Sequence, residues 1–513
     1  MRTSATHPLR IDGVSVPGSA GVIGMTLCPG KKQWNPASGD WDRDLHVDLA
    51  AVVSFGAAAL VTLLAPEEFS ELSLSTAQLS AAVAAAGVEW HHLPIRDAGV
   101  PDRGFEELWT YAGLRLRRLL RAGRSIVVHC KGGLGRTGAI AARLLVELGA
   151  AAADAVEQVR AARPGAIENN AQEQHVAACR AVDSASEDWL NRRVGCLVGG
   201  AIGDAFGYPV EFKRLPAIRA RYGPRGIREP QLRDGKLVTS DDTQMTLFTL
   251  EGLLRGLRGG NPIEEIRLAY LDWLDTQGYG PARHRPVGEL VHEAVLRVER
   301  DPGTTCVSAL QDGGRGSVAK PANQSKGCGG VMRVAPIGLF PERFDEAHAF
   351  RLAVDAAALT HGHVNGYLSA GFMASLVHRL VSGADLRPAA ESALGTLRQW
   401  RGHEQTSEFV RRALGPAPAL RDLGEGWVAE EALAIGLYAA LNGRTFPDVL
   451  ALAANHDGDS DSTASIAGQI WGAWKGIDGI PHAWISGLDV LRPLLGLVWK
   501  TSALRSLTAS RCS

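Results

Sequence analysis

The 513-residue sequence predicts an α/β domain, a central sheet flanked by helices, followed by an all-α domain. Three observations carry this. Strand-like apolar runs alternate with amphipathic helical stretches from Val22 to about Ala181. The polar run Asp183-Ser184-Ala185-Ser186-Glu187-Asp188 then breaks the pattern. Beyond it period-two alternation is almost absent and helical periodicity dominates. The expected boundaries are 20–182 for the first domain, 183–188 for a linker and 189–505 for the second domain.

In chain order, the expected strands are VIGMTLC (22–28), ALVTLL (59–64), VEWHHLPI (88–95) and SIVVHC (125–130). Helices are expected at Phe105–Arg121, Gly138–Leu148 and Ala152–Ala162. The charge-free run from Leu49 to Ala65 has nearly the length of a membrane span. Gly56 divides it and Pro66-Glu67-Glu68 stops it, so it reads as a helix end, a turn and a buried strand. Residues 1–10 are polar and lack the basic-then-apolar pattern of a signal peptide. In the second half, Met245, Phe248, Leu253, Leu254 and Leu257 share one helix face, as do Leu433, Leu437 and Leu441. Glycine-punctuated, alanine-rich helices there predict close helix packing.

Composition excludes several classes. With 45% hydrophobic and 21% charged residues, the chain is neither disordered nor fibrous. Lys and Arg number 54 against 55 Asp and Glu, a net charge of −1, so no overall positive field draws it to nucleic acid or an anionic membrane. The cysteines, 28, 130, 179, 196, 306, 328 and 512, are odd in number and form no Cys-x-x-Cys pair, which argues against a disulfide framework and for a reducing cytoplasm.

Two constellations carry chemistry. The first is strand SIVVH running into Cys130-Lys131-Gly132-Gly133-Leu134-Gly135-Arg136-Thr137 and then a helix. Such a loop aims backbone N–H groups and a helix N-terminus at one point, where an anion belongs. The same field favours a thiolate at Cys130, making it a nucleophile. Arg136 is expected to hold two phosphate oxygens, and Thr137 to donate to the sulfur. Gly133-x-Gly135-x-x-Gly138 also spells a dinucleotide fingerprint, but the chain continues into a second helix rather than a strand ending in an acid.

The second constellation is a pair of acidic clusters before helices, Ser240-Asp241-Asp242-Thr243 and His456-Asp457-Gly458-Asp459-Ser460-Asp461-Ser462. Helix capping accounts for one carboxylate per cluster, not for two with a hydroxyl. Four converging carboxylates repel one another, and hard divalent cations resolve that. An EF-hand is excluded, because its sixth and twelfth positions would be Ser462 and Gly468.

His129-Cys130-x5-Arg136-Thr137 resembles the signature of cysteine-dependent protein phosphatases. PGKKQW (29–34), HHLPIRDAGVPD (91–102) and ARPGAIENNAQEQ (162–174) are similar to the kinase-associated branch of the dual-specificity group. The resemblance implies that Cys130 and Arg136 are catalytic, with Lys131, Gly132, Gly133, Leu134 and Gly135 around phosphate. It also implies that Asp97 protonates the leaving oxygen, with Asp102 as runner-up, and that Gln172 positions the hydrolytic water.

Five further segments resemble the ADP-ribosylglycohydrolases of the dinitrogenase-reductase-activating type: GCLVGGAIGDAFGYPVEF (195–212), TSDDTQMTL (239–247), SKGCGGVMRVAPIGL (325–339), LTHGH (359–363) and NHDGDSDSTASIAG (455–468). That resemblance implies an all-α bundle with two Mg2+ ions, or Mn2+, held by Ser240, Asp241, Asp242, Asp459, Asp461 and Ser462. Many members have Thr in place of the two serines, which keeps the hydroxyl. Glu211 matches a glutamate near the scissile bond. Gly327, Cys328, Gly329 and Gly330, with Arg333 nearby, are expected to hold the diphosphate, and His361 and His363 the ribose. The expected substrates are an ADP-ribosylated protein or small molecule and a phosphorylated target. The alternative is a phospho-partner module in the first domain or a noncatalytic ADP-ribose reader in the second.

Overall fold

The computed structural model describes residues 1–36, 39–280, 284–416 and 420–509, with side chains through residue 502; Cys512 lies outside these. The chain forms two compact units, Met1–Glu187 and Asp188–Ser513. Among the described residues no helix is long and apolar enough to cross a membrane.

In the first unit, strands β1 (Asp12–Ser15), β2 (Val22–Leu27), β3 (Ala57–Thr62), β4 (Glu89–His92) and β5 (Ser125–Cys130) form one sheet in the order β1-β2-β5-β3-β4. Only β1 and β2 pair antiparallel; the other neighbours are parallel. Alternating residues feed two cores: Ile126 and Val128 pack on one face of the sheet, and Val127 with Leu60 on the other. The run 49–65 resolves as expected, into helix α1 (Leu45–Ser54), a turn at Gly56 with φ +82° and strand β3. Strand β1 escaped the sequence reading because only Val14 of its four residues is buried. The central strand β5 is reached after the chain has placed β4 at the edge, so its C-terminal end opens at a topological switch point, where parallel sheets bind ligands.

Helix α2 (Arg103–Arg121) is N-capped by Asp102, whose side chain accepts from the Phe105 N–H. Helices α3 (Gly135–Glu147), α4 (Ala152–Ala162) and α5 (Asn170–Ala178) follow β5. The run expected as a linker is helical from Ser184 onward, because Asp183 accepts from the Ser186 N–H at 2.8 Å and starts helix α6 (Ser184–Gly207).

The second unit contains no strand among its described residues. Its organising feature is a stripe of glycines on α6 laid against helix α10 (Ser460–Lys475), with α7 (Asp241–Gly256), α8 (Val364–Val381) and α9 (Ala429–Asn442) also in the bundle. A Cβ on Gly199 would stand 2.4 Å from Gly468 O, and one on Gly203 would stand 2.1 Å from Ala464 O. Only hydrogen fits between these backbones. The close approach sets the C-terminal end of α6 on the N-terminal turn of α10, at Gly207 and Ser460. Gly203→Ala is therefore expected to force the helices apart and destabilise the second unit by about 1–3 kcal/mol. Thermal denaturation checks this, and an unchanged melting temperature would contradict it.

Candidate functional site

Cys130 ends β5, 4% exposed, directly across from Leu27 of β2. The Gly133 N–H donates to Cys130 Sγ at 3.2 Å. Gly133 has φ +75°, and a Cβ there would lie 2.3 Å from Thr26 O, so the loop passes only as glycine. His129 is a tie between strands: its Nε2 pairs with Thr62 Oγ1 at 2.8 Å, and burial pushes its pKa down to about 3.

Arg136 is 2% exposed and aimed by a carboxylate that the sequence reading passed over. Its guanidinium donates to Glu68 Oε2 and Oε1 at 2.5 and 2.8 Å, to Ile95 O at 2.9 Å and to Asp97 Oδ1 at 2.7 Å. Burial opposes its charge, but hydrogen bonds to Glu68 and the neighbouring anionic groups outweigh burial and raise its pKa. Asp97, with its side chain 70% exposed, thus stands beside Arg136 at the loop mouth. Asp102 does not, being spent as the cap of α2. Lys131 pairs with Glu71 at 2.5 Å, and Leu134 is the residue before the first turn of α3.

Two expected roles meet a different environment. The Thr137 hydroxyl is buried without a hydrogen bond, so it does not reach the sulfur; the Gly133 N–H makes that contact instead. Gln172 is fully buried, with Oε1 accepting from the Glu168 N–H at 2.9 Å and Nε2 donating to Gly99 O at 3.3 Å. Its amide fastens backbone segments together and does not face solvent.

In the second unit, helices α7 and α10 bring their N-terminal carboxylates to one cavity of about 350 Å3, floored by Asp241, Asp242, Asp459, Asp461 and Ser462 with Glu211 at its side. The α6 helix does the aligning. Asp204, near its end, accepts from the Ser240 N–H at 2.9 Å and the Thr243 N–H at 3.1 Å, fixing the start of α7. Past Gly207 the chain turns and delivers Glu211, whose carboxylate lies with those of Asp459 and Asp461 within 4.8 Å of one another. Asp204 was within the GAIGDAFG segment, but its role required knowing that α6 crosses α7. Ser240 is fully buried as the cap of α7, its Oγ accepting from the Asp242 N–H at 3.2 Å. Ser462 Oγ faces Cys328 Sγ and Met332 Sδ, each at 3.7 Å.

The electrostatics of this cluster are unbalanced. Burial raises the pKa of Asp241, Asp242 and Asp459 well above the usual carboxylate range, reinforced by mutual repulsion. Burial, then Asp461, Asp459 and Asp241, push Glu211 up to about 11. Asp242 Oδ2 is buried without a hydrogen-bond partner. An orphaned carboxylate oxygen among all-oxygen donors fits a hard divalent cation.

Gly327, Cys328, Gly329 and His361 line the same cavity, whereas Gly330 is packed behind it. The Gly327 N–H donates to Ser325 Oγ at 3.3 Å and the Cys328 N–H to Trp427 O at 3.2 Å, so two loop amides are committed. The Cys328 thiol donates to Asp459 Oδ2 at 2.8 Å, and burial raises its pKa, which suits no nucleophile. Arg333, expected near the loop that holds the diphosphate, is fully buried, donating to Thr360 Oγ1 at 2.7 Å and lying 4.3 Å from the Tyr270 ring centroid. His363 is the cap of α8, accepting from the Asn365 N–H at 3.2 Å. At the rim, the exposed rings of Phe212 and Trp427 stack with centroids 5.3 Å apart.

A loop that presents a cysteine and an arginine at a switch point, and a separate carboxylate-floored cavity in a helical bundle, define a hydrolase with two catalytic domains. Comparison with known proteins agrees. A family model described as ADP-ribosylglycohydrolase matches residues 185–509, and one described as the DSP-PTPase phosphatase of polymorphic toxin systems matches residues 44–150. The chain belongs to the ADP-ribosylglycohydrolase family and carries a phosphatase domain before it. Its relatives include ADP-ribosylarginine hydrolase Tri1 of Pseudomonas putida, 28% identical over 322 residues, which are 60% of this chain and 76% of that protein. ADP-ribosyl-[dinitrogen reductase] glycohydrolase of Rhodospirillum rubrum is 26% identical over 312 residues, 58% of this chain and 91% of that protein. Among solved structures, a kinase associated phosphatase with its catalytic cysteine substituted by serine is 25% identical, covering 33% of this chain and 92% of that one, with a TM-score of 0.29.

Proposed function

We propose that the second unit hydrolyses the glycosidic bond of ADP-ribosylated substrates at a binuclear magnesium centre, with manganese as the alternative metal. The first unit, in this reading, hydrolyses phosphate monoesters through a cysteinyl-phosphate. The observation that carries the first statement is the cavity itself, where buried carboxylates converge with one oxygen unpartnered. The ligands would be Asp241, Asp242, Asp459 and Asp461, with the hydroxyls of Ser240 and Ser462. Cations held by these residues would supply Lewis acidity at the ribose and the attacking water. Glu211, facing the same space, would take a proton from the attacking water and pass it to the departing group as the glycosidic bond breaks. The loop at Gly327–Gly329 and His361 hold the nucleotide part.

For the first unit, Cys130 Sγ attacks phosphorus, the amides of residues 131–134 and Arg136 hold the phosphoryl oxygens, and Asp97 protonates the departing oxygen. The six described cysteines are all free, which supports a reducing, cytoplasmic setting. Peptides ADP-ribosylated on arginine and on serine, incubated with the full chain in magnesium or in EDTA, test the first statement. Free ADP-ribose appearing only with magnesium is the expected result, arginine being the first linkage to try because relatives bear that substrate in their names. Binding of ADP-ribose without release from any substrate would instead mark a reader.

A further inference from the structure

Gln172, matched to a glutamine that positions water, has no free face for it, yet a carboxylate sits on the same loop. The Gly135 N–H, in the last turn of the phosphate-binding loop, donates to Glu168 Oε2 at 3.0 Å. Glu168 is exposed, and its other oxygen carries no hydrogen bond to a described residue. Three features hold it there. Gly135 leaves room, since a Cβ on it would stand 2.2 Å from Glu168 Oε2. Ile167, buried and β-branched, takes the left-handed region with φ +59°, a conformation that such residues adopt only under constraint. Finally, Asn169 Nδ2 donates to Ala98 O at 2.9 Å and Gln172 Nε2 to Gly99 O, so residues 167–172 are fastened to the loop that carries Asp97.

Resting on the phosphatase reading above, we propose that Glu168 is the catalytic base of the second half-reaction, the hydrolysis of cysteinyl-phosphate, and that Gln172 is a positioning residue for it. One Glu168 oxygen stays on the Gly135 N–H and the other accepts a water proton. The water oxygen forms its bond to phosphorus as the P–S bond breaks, and that electron pair returns to Cys130 as thiolate. The proton passes from Glu168 to solvent. Two carboxylates thus divide the work: Asp97 gives a proton to the leaving oxygen in the first step, and Glu168 takes one from water in the second.

Rapid-quench kinetics of the full chain with p-nitrophenyl phosphate separate the steps. Glu168→Gln, isosteric and still able to accept from Gly135, is expected to keep a burst of one p-nitrophenol per site at nearly the wild-type rate. Its steady-state rate falls about 100-fold, and acid-quenched phosphocysteine accumulates. Asp97→Asn is expected to slow the burst itself. A Glu168→Gln steady-state rate within about threefold of wild type, or a burst slowed as much as turnover, overturns the proposal while leaving the phosphatase reading intact. Turnover that persists in Cys130→Ser overturns that reading and the proposal with it.

Discussion

Cys130→Ser is expected to abolish phosphate release from an aryl phosphate, by at least about 1,000-fold in kcat/KM. A serine hydroxyl needs a base to become a nucleophile, and the groups nearest residue 130 are committed elsewhere, while Glu168 serves the water that attacks phosphorus opposite the 130 side chain. His129, the adjacent residue, spends its Nε2 on Thr62 and is buried. Asp97 and Glu68 are occupied by Arg136. The anion site itself should survive, because the loop amides and the Glu68-anchored Arg136 do not depend on the sulfur. Calorimetric titration with inorganic phosphate should therefore find binding within about tenfold of wild type, while turnover is lost. Loss of phosphate binding together with turnover would show that the loop had collapsed, and retained turnover would remove Cys130 as the nucleophile.

Asp459→Asn combined with Asp461→Asn is expected to eliminate magnesium-dependent ADP-ribose release, also by at least about 1,000-fold. The stability signature is the more discriminating part. In the metal-free chain these carboxylates are buried and repel one another and Glu211, so neutral amides of the same shape should leave the apo protein as stable as wild type or more so. Magnesium should then raise the wild-type melting temperature and leave the variant unchanged, since a ligand stabilises only the protein that binds it. An apo variant markedly less stable than wild type would mean that the two aspartates are structural caps of α10 rather than a cation site.

What could be read in advance follows a physical division. Apolar alternation announced β2, β3 and β5, and the glycines of α6 announced a close helix crossing, because those signals are local and repeated. The carboxylate clusters of α7 and α10 were legible since two acids and a hydroxyl exceed what a helix cap requires. Glu68, Asp204 and Glu168 were not legible. Each is an ordinary acidic residue locally, and each acquires its role from a partner distant in the chain: Arg136, the start of α7 and the Gly135 amide. Strand β1 was hidden by its single buried residue, and the first turn of α6 by a polar composition that suits a helix cap as well as a linker. Thr137 and Gln172 show the converse, where a matched motif suggested contacts that the packing does not make: the Thr137 hydroxyl is buried without a partner, and the Gln172 amide is spent on Glu168 and Gly99.

On the proposed function, one chain holds two separate hydrolytic centres of unlike chemistry. The most direct test assays wild type, Cys130→Ser and the Asp459→Asn, Asp461→Asn pair side by side for phosphate release and for ADP-ribose release, each in magnesium and in EDTA. Each substitution is expected to remove one reaction and spare the other, and EDTA to stop only ADP-ribose release. A single substitution that removed both reactions, or phosphate release that required magnesium, would contradict this reading.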